Sequence, residues 1–295
     1  MLGTLRKIKH EFLSLEGFYG FLSHLPGLKR GRSHDLDREV VVSMTSIPWR
    51  FEKLHAVLMS LLWQTVRPDR VVLWLSEYNQ KGEKVIDPEN LPANLRRMQR
   101  KGIEIAFVDD IRSYRKLLPS LERYPDAIII TVDDDTLYPG NWLEKLLAAH
   151  SDHPEAVVCY RGTRMLVQRG SLAPYIQWPE FTERNKPSYL LFAQGCEGIL
   201  YPPGSLHPEV HNRDAFMELS PTADDVWFKA MALYNGVPHV KITERHQDFP
   251  RTWGSQAEDQ SLHHVNNTLG HNDRQVAAVF SRYGLISRLQ DVSQA

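Results

Sequence analysis

Apolar runs and polar breaks alternate through most of the chain. The strongest run is Ile128-Ile129-Ile130-Thr131-Val132. Uninterrupted β-branched residues predict a strand buried on both faces. The run drives into Asp133-Asp134-Asp135, and Tyr138-Pro139-Gly140 then turns the chain. Further strands are predicted at 39–44, 70–75, 103–107, 156–160 and 237–242. Phe51, Leu54, Val57, Leu58, Leu61 and Leu62 repeat at helical spacing and predict a helix over 51–64. Shorter helices are expected over 95–100, after Asn141 (read as an Asx cap with Glu144 three residues on) and from an opening within 220–227 to about 234–236. Strand, helix and strand within about 35 residues is the size of a βαβ unit. The expected class is α/β, with a mostly parallel central sheet flanked by helices. Ligands of such sheets sit beyond the carboxyl ends of the strands. Residues 45–50, 76–79 and 133–135 fall there.

Both ends of the chain depart from this alternation. Over 1–24, Leu2, Leu5, Ile8, Phe12, Leu15, Phe18, Tyr19 and Leu22 recur at roughly helical spacing, with Arg6, Lys7, Lys9 and His10 between them. A basic amphipathic helix with aromatics is suited to an anionic membrane surface, and equally to packing on protein. Membrane contact is therefore an expectation for residues 1–32. Residues 161–220 are less regular. Their Trp178, Phe181, Tyr189 and Phe192 suit either sugar-stacking surfaces or a second core. Gly195 and Gly198 precede an apolar strand end, where glycine allows close backbone approach or a bulge. The C-terminal region reads as helical and histidine-rich. Three segments follow: 1–38; 39–250, divided into halves at 160 and 161; and a helical extension, 251–295.

Composition narrows the partners. The 295 residues carry a net charge of −1, which gives no field for nucleic acid. Two cysteines imply a reducing compartment and no disulfide framework. No run of 18 apolar residues exists, and no signal-peptide core is seen, so the expected location is cytoplasmic, peripheral on the membrane if the N-terminal helix binds there. Asn266-Asn267-Thr268 matches a glycosylation sequon without meaning in that compartment.

The candidate chemistry lies in two acidic stretches. Side chains alternate along an extended chain, so Asp133 and Asp135 should leave on one side and Asp134 on the other. Two converging carboxylates suit a hard divalent cation, Mg²⁺ or Mn²⁺. In Ser220-Pro221-Thr222-Ala223-Asp224-Asp225-Val226-Trp227, Thr222 and Asp225 have capping-box spacing. Asp225 is thus either a capping acid or a general base facing the cleft.

Thr45-Ser46-Ile47-Pro48-Trp49-Arg50, the 128–139 block, Gly195–Pro203 and Ala223–Trp227 occur in the order found in a known group. Over about residues 39–245 the chain resembles bacterial GT-A-fold glycosyltransferases of capsule and lipopolysaccharide assembly, a family-2-like group. The resemblance implies a Rossmann-like GT-A catalytic domain over 39–250, with a nucleotide-sugar half before 160 and an acceptor half after it. It implies a nucleotide-sugar donor, UDP-linked by preference, and a glycan or lipid-linked saccharide acceptor. Thr45, Ser46 and Arg50 match the nucleoside-binding loop, and Lys116 a lysine reaching the donor. Asp133 and Asp135 match the metal motif, with His246 as third ligand and His264 as runner-up; Asp134 faces the sugar or ribose. Asp225 matches the base of inverting members, beside Asp224. Gly195 and Gly198 match the glycine-rich run of the pocket, from which Glu197 departs. The block 130–136 also resembles the aspartyl nucleophile motif of haloacid-dehalogenase-like phosphatases. Those carry Gly-Thr after the second Asp and place the motif on the first strand. A non-catalytic sugar-binding subunit of an assembly complex is a third reading.

Overall fold

In a computed structural model of the full chain, residues 15–25, 31–252 and 270–294 are described, with side chains to 289. Among the described residues nine strands run in chain order: β1 Val40–Thr45, β2 Arg70–Leu75, β3 Ile103–Phe107, β4 Ile128–Val132, β5 Val157–Arg164, β6 Val167–Gln168, β7 Ser171–Leu172, β8 Leu191–Tyr201 and β9 His239–Lys241. The helices are α1 Leu15–His24, α2 Phe51–Leu62, α3 Ala93–Arg100, α4 Leu118–Arg123, α5 Trp142–Asp152, α6 Arg213–Leu219, α7 Asp224–Tyr234, α8 His271–Arg282 and α9 Leu285–Gln294.

Seven strands form one sheet in the order β3-β2-β1-β4-β8-β5-β9. Six run parallel, and β8 alone runs against both neighbours. The protein is thus α/β with a mostly parallel central sheet flanked by helices. Met44 pairs with Val132, and Thr45 with Trp74. The carboxyl ends of β1, β2 and β4 are therefore level and their loops open at one edge.

The uninterrupted apolar strands are explained by two cores. Val40, Val42, Met44, Ile128 and Ile130 face α1, α2, α3 and α5, while Val41 and Ile129 face the layer holding α7, α8 and α9. Each buried Val or Ile contributes roughly 1.5–3 kcal/mol. Trp178, Phe181 and Phe192 are buried in the second core, so they are filling rather than stacking platforms.

Gly195 and Gly198 lie inside β8, ahead of its apolar end. Because it is antiparallel (Ile129 opposite Tyr201, Thr131 opposite Ile199), its first half projects past the end of β4. Residues 194–198 thus come alongside the acidic turn. At Gly198, φ is +97°, and a Cβ would lie 2.7 Å from Cζ2 of Trp142. Only glycine fits there. The helix at α5 is not held by an Asx cap: Asn141 makes no capping bond.

Candidate active site

The site lies where β1, β4, β8 and α7 meet. β4 ends at Val132, and residues 134–135 form a turn. The strand alternation expected for the three acids therefore stops before it reaches them. Asp134 and Asp135 share the guanidinium of Arg50. Asp134 accepts from the Ser46 hydroxyl at 2.6 Å and from Arg50. Arg50 also lies 3.6 Å from Asp135, whose other oxygen accepts from Arg251 at 3.1 Å. Burial, only partly offset by Arg50 and Ser46, pushes the Asp134 carboxyl up to about 6. Burial and then Asp133 push Asp135 up. Asp134 is consequently a brace for the loop after β1. Ser46 and Arg50 are both engaged by it, and Thr45 donates its hydroxyl to the Trp74 carbonyl at 2.9 Å.

Asp133 lies against Lys116. The ammonium of Lys116 lies 2.8 Å from Asp224, 3.6 Å from Asp133 and 3.8 Å from Asp225. Burial opposes its charge, but these three carboxylates outweigh it and hold the pKa well above the ordinary lysine value. The Lys116 carbonyl is fixed by the Ser43 hydroxyl at 2.6 Å. Acids from both halves of the chain thus meet on one ammonium.

The capping reading of Asp225 fails. The residue before α7 is Ala223 and makes no side-chain cap. Thr222 instead donates from its amide and hydroxyl to Gln275. Asp225 accepts from the Gly195 amide at 2.9 Å. Its second oxygen is buried and has no hydrogen-bond donor. The side chain is 26% exposed. Burial, set against the attraction of Lys116 and reinforced by Asp224, pushes its carboxyl up to about 7. Gly195 makes this possible, since a Cβ there would lie 2.8 Å from Nζ of Lys116 and 3.0 Å from Oδ1 of Asp225.

Glu197 does not line the cleft as a free charge. It is buried, 3.3 Å from Arg161, and accepts from the Cys196 thiol at 2.9 Å. Its backbone carbonyl accepts from the Trp142 indole at 2.8 Å. Both cysteines are free. His246 is not brought to the acidic turn: its Nε2 pairs with the Gly162 carbonyl at 3.1 Å, and its amide donates to Glu180. His264 lies outside the described residues, as do His263 and the sequon.

Charge and donor chemistry fit a divalent cation. Among the described residues, Asp133, Asp134, Asp135, Asp224 and Asp225 form ion pairs with three cations, Arg50, Lys116 and Arg251, so carboxylates outnumber cations by five to three. Carboxylate oxygens are the donors that hard cations take. Asp133 and Asp135 would hold it. Among the described residues no cluster of three or more His, Cys, Asp or Glu forms a ready-made cage. Magnesium characteristically uses one or two carboxylates and takes its remaining partners from phosphate and water.

Sequence reasoning missed Arg251 and Gln194. Arg251 reaches Asp135 because residues 250–252 pair with 135–137, through Thr252 to the Asp135 carbonyl at 2.8 Å and Leu137 to the Pro250 carbonyl at 2.8 Å. No local pattern around Arg251 signals this. Gln194 gives its amide nitrogen to the Tyr175 hydroxyl at 2.8 Å, and its oxygen is buried without a donor. Its place next to a glycine that must stay bare was the available signal.

No known family profile matches the chain, and no curated protein matches it in sequence. Among solved structures, the crystal structure of 4-diphosphocytidyl-2C-methyl-D-erythritol synthase is similar, at 11% identity and a TM-score of 0.39. The likeness covers 78% of this chain and 96% of that one. At that level nothing about residues or activity follows from it.

Proposed function

We propose that the protein is a glycosyltransferase that moves a sugar from a nucleotide-sugar donor, UDP-linked by preference, to a hydroxyl of a glycan or lipid-linked acceptor in surface-polysaccharide assembly. The observation that carries this is the meeting of Asp133 with Asp224 and Asp225 on Lys116, at the edge where parallel strands end. A donor-side acid and an acceptor-side acid are thereby set a few ångströms apart. The order of motifs described above supplies the reaction class.

Asp225 is the base in this reading. The acceptor oxygen bonds to the anomeric carbon as the bond from that carbon to the diphosphate oxygen breaks. The acceptor proton passes to Asp225, and the nucleoside diphosphate leaves with the electron pair. A carboxylate near pH 7 is basic enough to take the proton yet partly ionised at neutral pH, a contribution typically of about 10²–10⁴-fold. The Gly195 amide fixes the orientation of that carboxylate. Mg²⁺ or Mn²⁺ on Asp133 and Asp135 would supply charge neutralisation for the departing diphosphate. Ser46 and Arg50, held by Asp134, shape the nucleoside loop. Loss of the Asp225 carboxylate on an inverting route is the expected signature.

The test is a thermal-shift panel of nucleotide-sugars with and without Mn²⁺, followed by nucleoside diphosphate release. Wild type should be stabilised more with Mn²⁺ present. Asp225→Asn should keep that shift and lose turnover by about 10² or more. Release of phosphate from simple esters without an acceptor would identify a phosphohydrolase. Binding without transfer or hydrolysis, across metals and acceptors, would identify a sugar-binding subunit.

A further inference from the structure

One acid assigned to the metal is already engaged by the chain itself. Oδ1 of Asp135 accepts from Arg251 at 3.1 Å, and its Oδ2 lies 3.6 Å from Arg50. Asp135 is buried, while 29% of the Arg251 side chain is exposed. A cation that binds Asp135 must therefore share it with two guanidinium groups or displace one of them. Neither guanidinium can withdraw by losing its proton, because arginine stays charged at any ordinary pH. Withdrawal has to be a movement, and a positive charge that moves needs another anion to move to.

The two arginines are anchored differently. Arg50 also pairs with buried Asp134, which keeps it in place when Asp135 is taken. Arg251 stands on a segment whose backbone is fixed without help from its side chain. The Thr252 amide donates to the Asp135 carbonyl and the Leu137 amide to the Pro250 carbonyl, both at 2.8 Å. Phe249, two residues earlier, is buried against Tyr138 and Tyr160. The guanidinium can thus turn while its backbone stays. A diphosphate drawn to a cation on Asp135 brings a second anion to the same place. The planar fork of arginine suits phosphate oxygens as well as it suits a carboxylate.

We infer that Arg251 is an internal counter-cation of the empty site, which holds Asp135 until metal and diphosphate arrive and then passes to the diphosphate. The inference rests on the sugar-transfer reading and adds a coupling to it. Metal alone has to displace a positive charge and bear its repulsion. With the diphosphate present, the guanidinium gains a new partner as it leaves the old one. Metal and diphosphate each tighten the other's binding through Arg251, in addition to their own mutual contact. A side chain that only braced the acidic turn would weaken both affinities together when removed.

Titration calorimetry of the full chain tests this, with Mn²⁺ alone and with UDP, GDP, CDP and dTDP at saturating Mn²⁺. Arg251→Gln should bind Mn²⁺ alone about tenfold more tightly, since a positive charge roughly 5 Å from a divalent ion costs about a factor of ten even in a water-like dielectric. The same variant should bind the nucleoside diphosphate about tenfold more weakly. Arg251→Lys keeps the charge, so it should retain the Mn²⁺ affinity and lose only part of the diphosphate affinity. This milder variant also carries the test if the Gln variant fails to fold by circular dichroism. Weaker Mn²⁺ binding or unchanged diphosphate binding in a folded Arg251→Gln, with the wild type binding both, overturns the inference and leaves the transfer reading standing. So does a Lys variant that loses Mn²⁺ and diphosphate affinity alike. A wild type that binds none of the four diphosphates with Mn²⁺ overturns the transfer reading and this inference with it.

Discussion

Replacing Asp225 by Asn sets two effects of opposite sign against each other. As an acid in the first turn of α7, Asp225 should stabilise that helix by about 0.3–1 kcal/mol. As a buried carboxylate it should destabilise the fold when ionised. Its carboxyl is pushed from 3.8 to about 7, first by burial and then, against Lys116, by Asp224. At about 1.36 kcal/mol per pH unit, that corresponds to roughly 4 kcal/mol. The burial effect wins. Below about pH 4 the group is protonated in folded and unfolded chains alike, and the cost is absent. It builds as pH rises from 3.8 towards 7 and is complete above 7. Asn keeps the shape and still accepts from the Gly195 amide, and Lys116 keeps Asp224 at 2.8 Å. Local relaxation lowers the yield, so the expected gain is about 2–4 kcal/mol near pH 8.5 and close to zero near pH 4. For a chain of this size that is a rise in Tm of about 4–12 °C. The assay is thermal or urea denaturation of both proteins at the two pH values, with EDTA present. A variant that is less stable near pH 8.5, or whose gain is the same at both pH values, would refute the reasoning. A gain in stability together with lost turnover is what a working acid gives and a helix cap does not.

Other outcomes follow from the same contacts. Lys229 is fully buried, its Nζ 3.3 Å from His239, and burial pulls its pKa down to about 7. Its cost is complete below pH 7 and fades as pH rises towards the ordinary lysine value, so Lys229→Met should raise Tm most near pH 6–7 and least near pH 10. Gly195→Ala meets Nζ of Lys116, the far end of a flexible side chain, so activity should fall steeply with a Tm change of only a few degrees by scanning calorimetry. Gly198→Ala meets the indole of Trp142 at a positive φ and should instead lose about 2 kcal/mol or more in urea unfolding. Asp135→Ala should abolish the Mn²⁺-dependent part of the thermal shift while far-ultraviolet circular dichroism remains native-like.

What the sequence disclosed depended on how local the cause was. β2 and β3 fall where the apolar runs predict them, and β1 and α2 within two residues, because buried strands and amphipathic helices are written in consecutive side chains. The level carboxyl ends followed from parallel topology. The direction of β8 was not legible, since an antiparallel strand buried on both faces carries the same apolar signal as a parallel one. The helices α4 and α6 are six and seven residues long, too short for a periodic pattern to stand out. At the site, Asp133, Lys116 and Asp225 were each picked out, but not their meeting: the lysine joins acids far apart in the chain. For the three aspartates the expected alternation had no strand to act through, because alternation holds only while a strand continues and β4 ends at Val132. For Asp225, the capping and catalytic readings shared one local pattern. The bond from the Gly195 amide, across thirty positions, separates them.

The reversed direction of β8 has a bearing on how such a protein can diversify. Its start, not its end, lies at the working edge of the sheet, while its far half is locked to β4 between Thr131 and Ile129. The segment feeding that start, residues 165–190, holds only the two-residue strands β6 and β7 and a short 3-10 turn. Length changes around the β6–β7 turn, ahead of the bridges that tie Glu180, Arg184 and Ser188 to the sheet, can alter that segment without shifting any register in the sheet. If the proposed transfer holds, acceptor preference can drift by changes in loop length there, while Asp224, Asp225 and Lys116 stay where the strands put them.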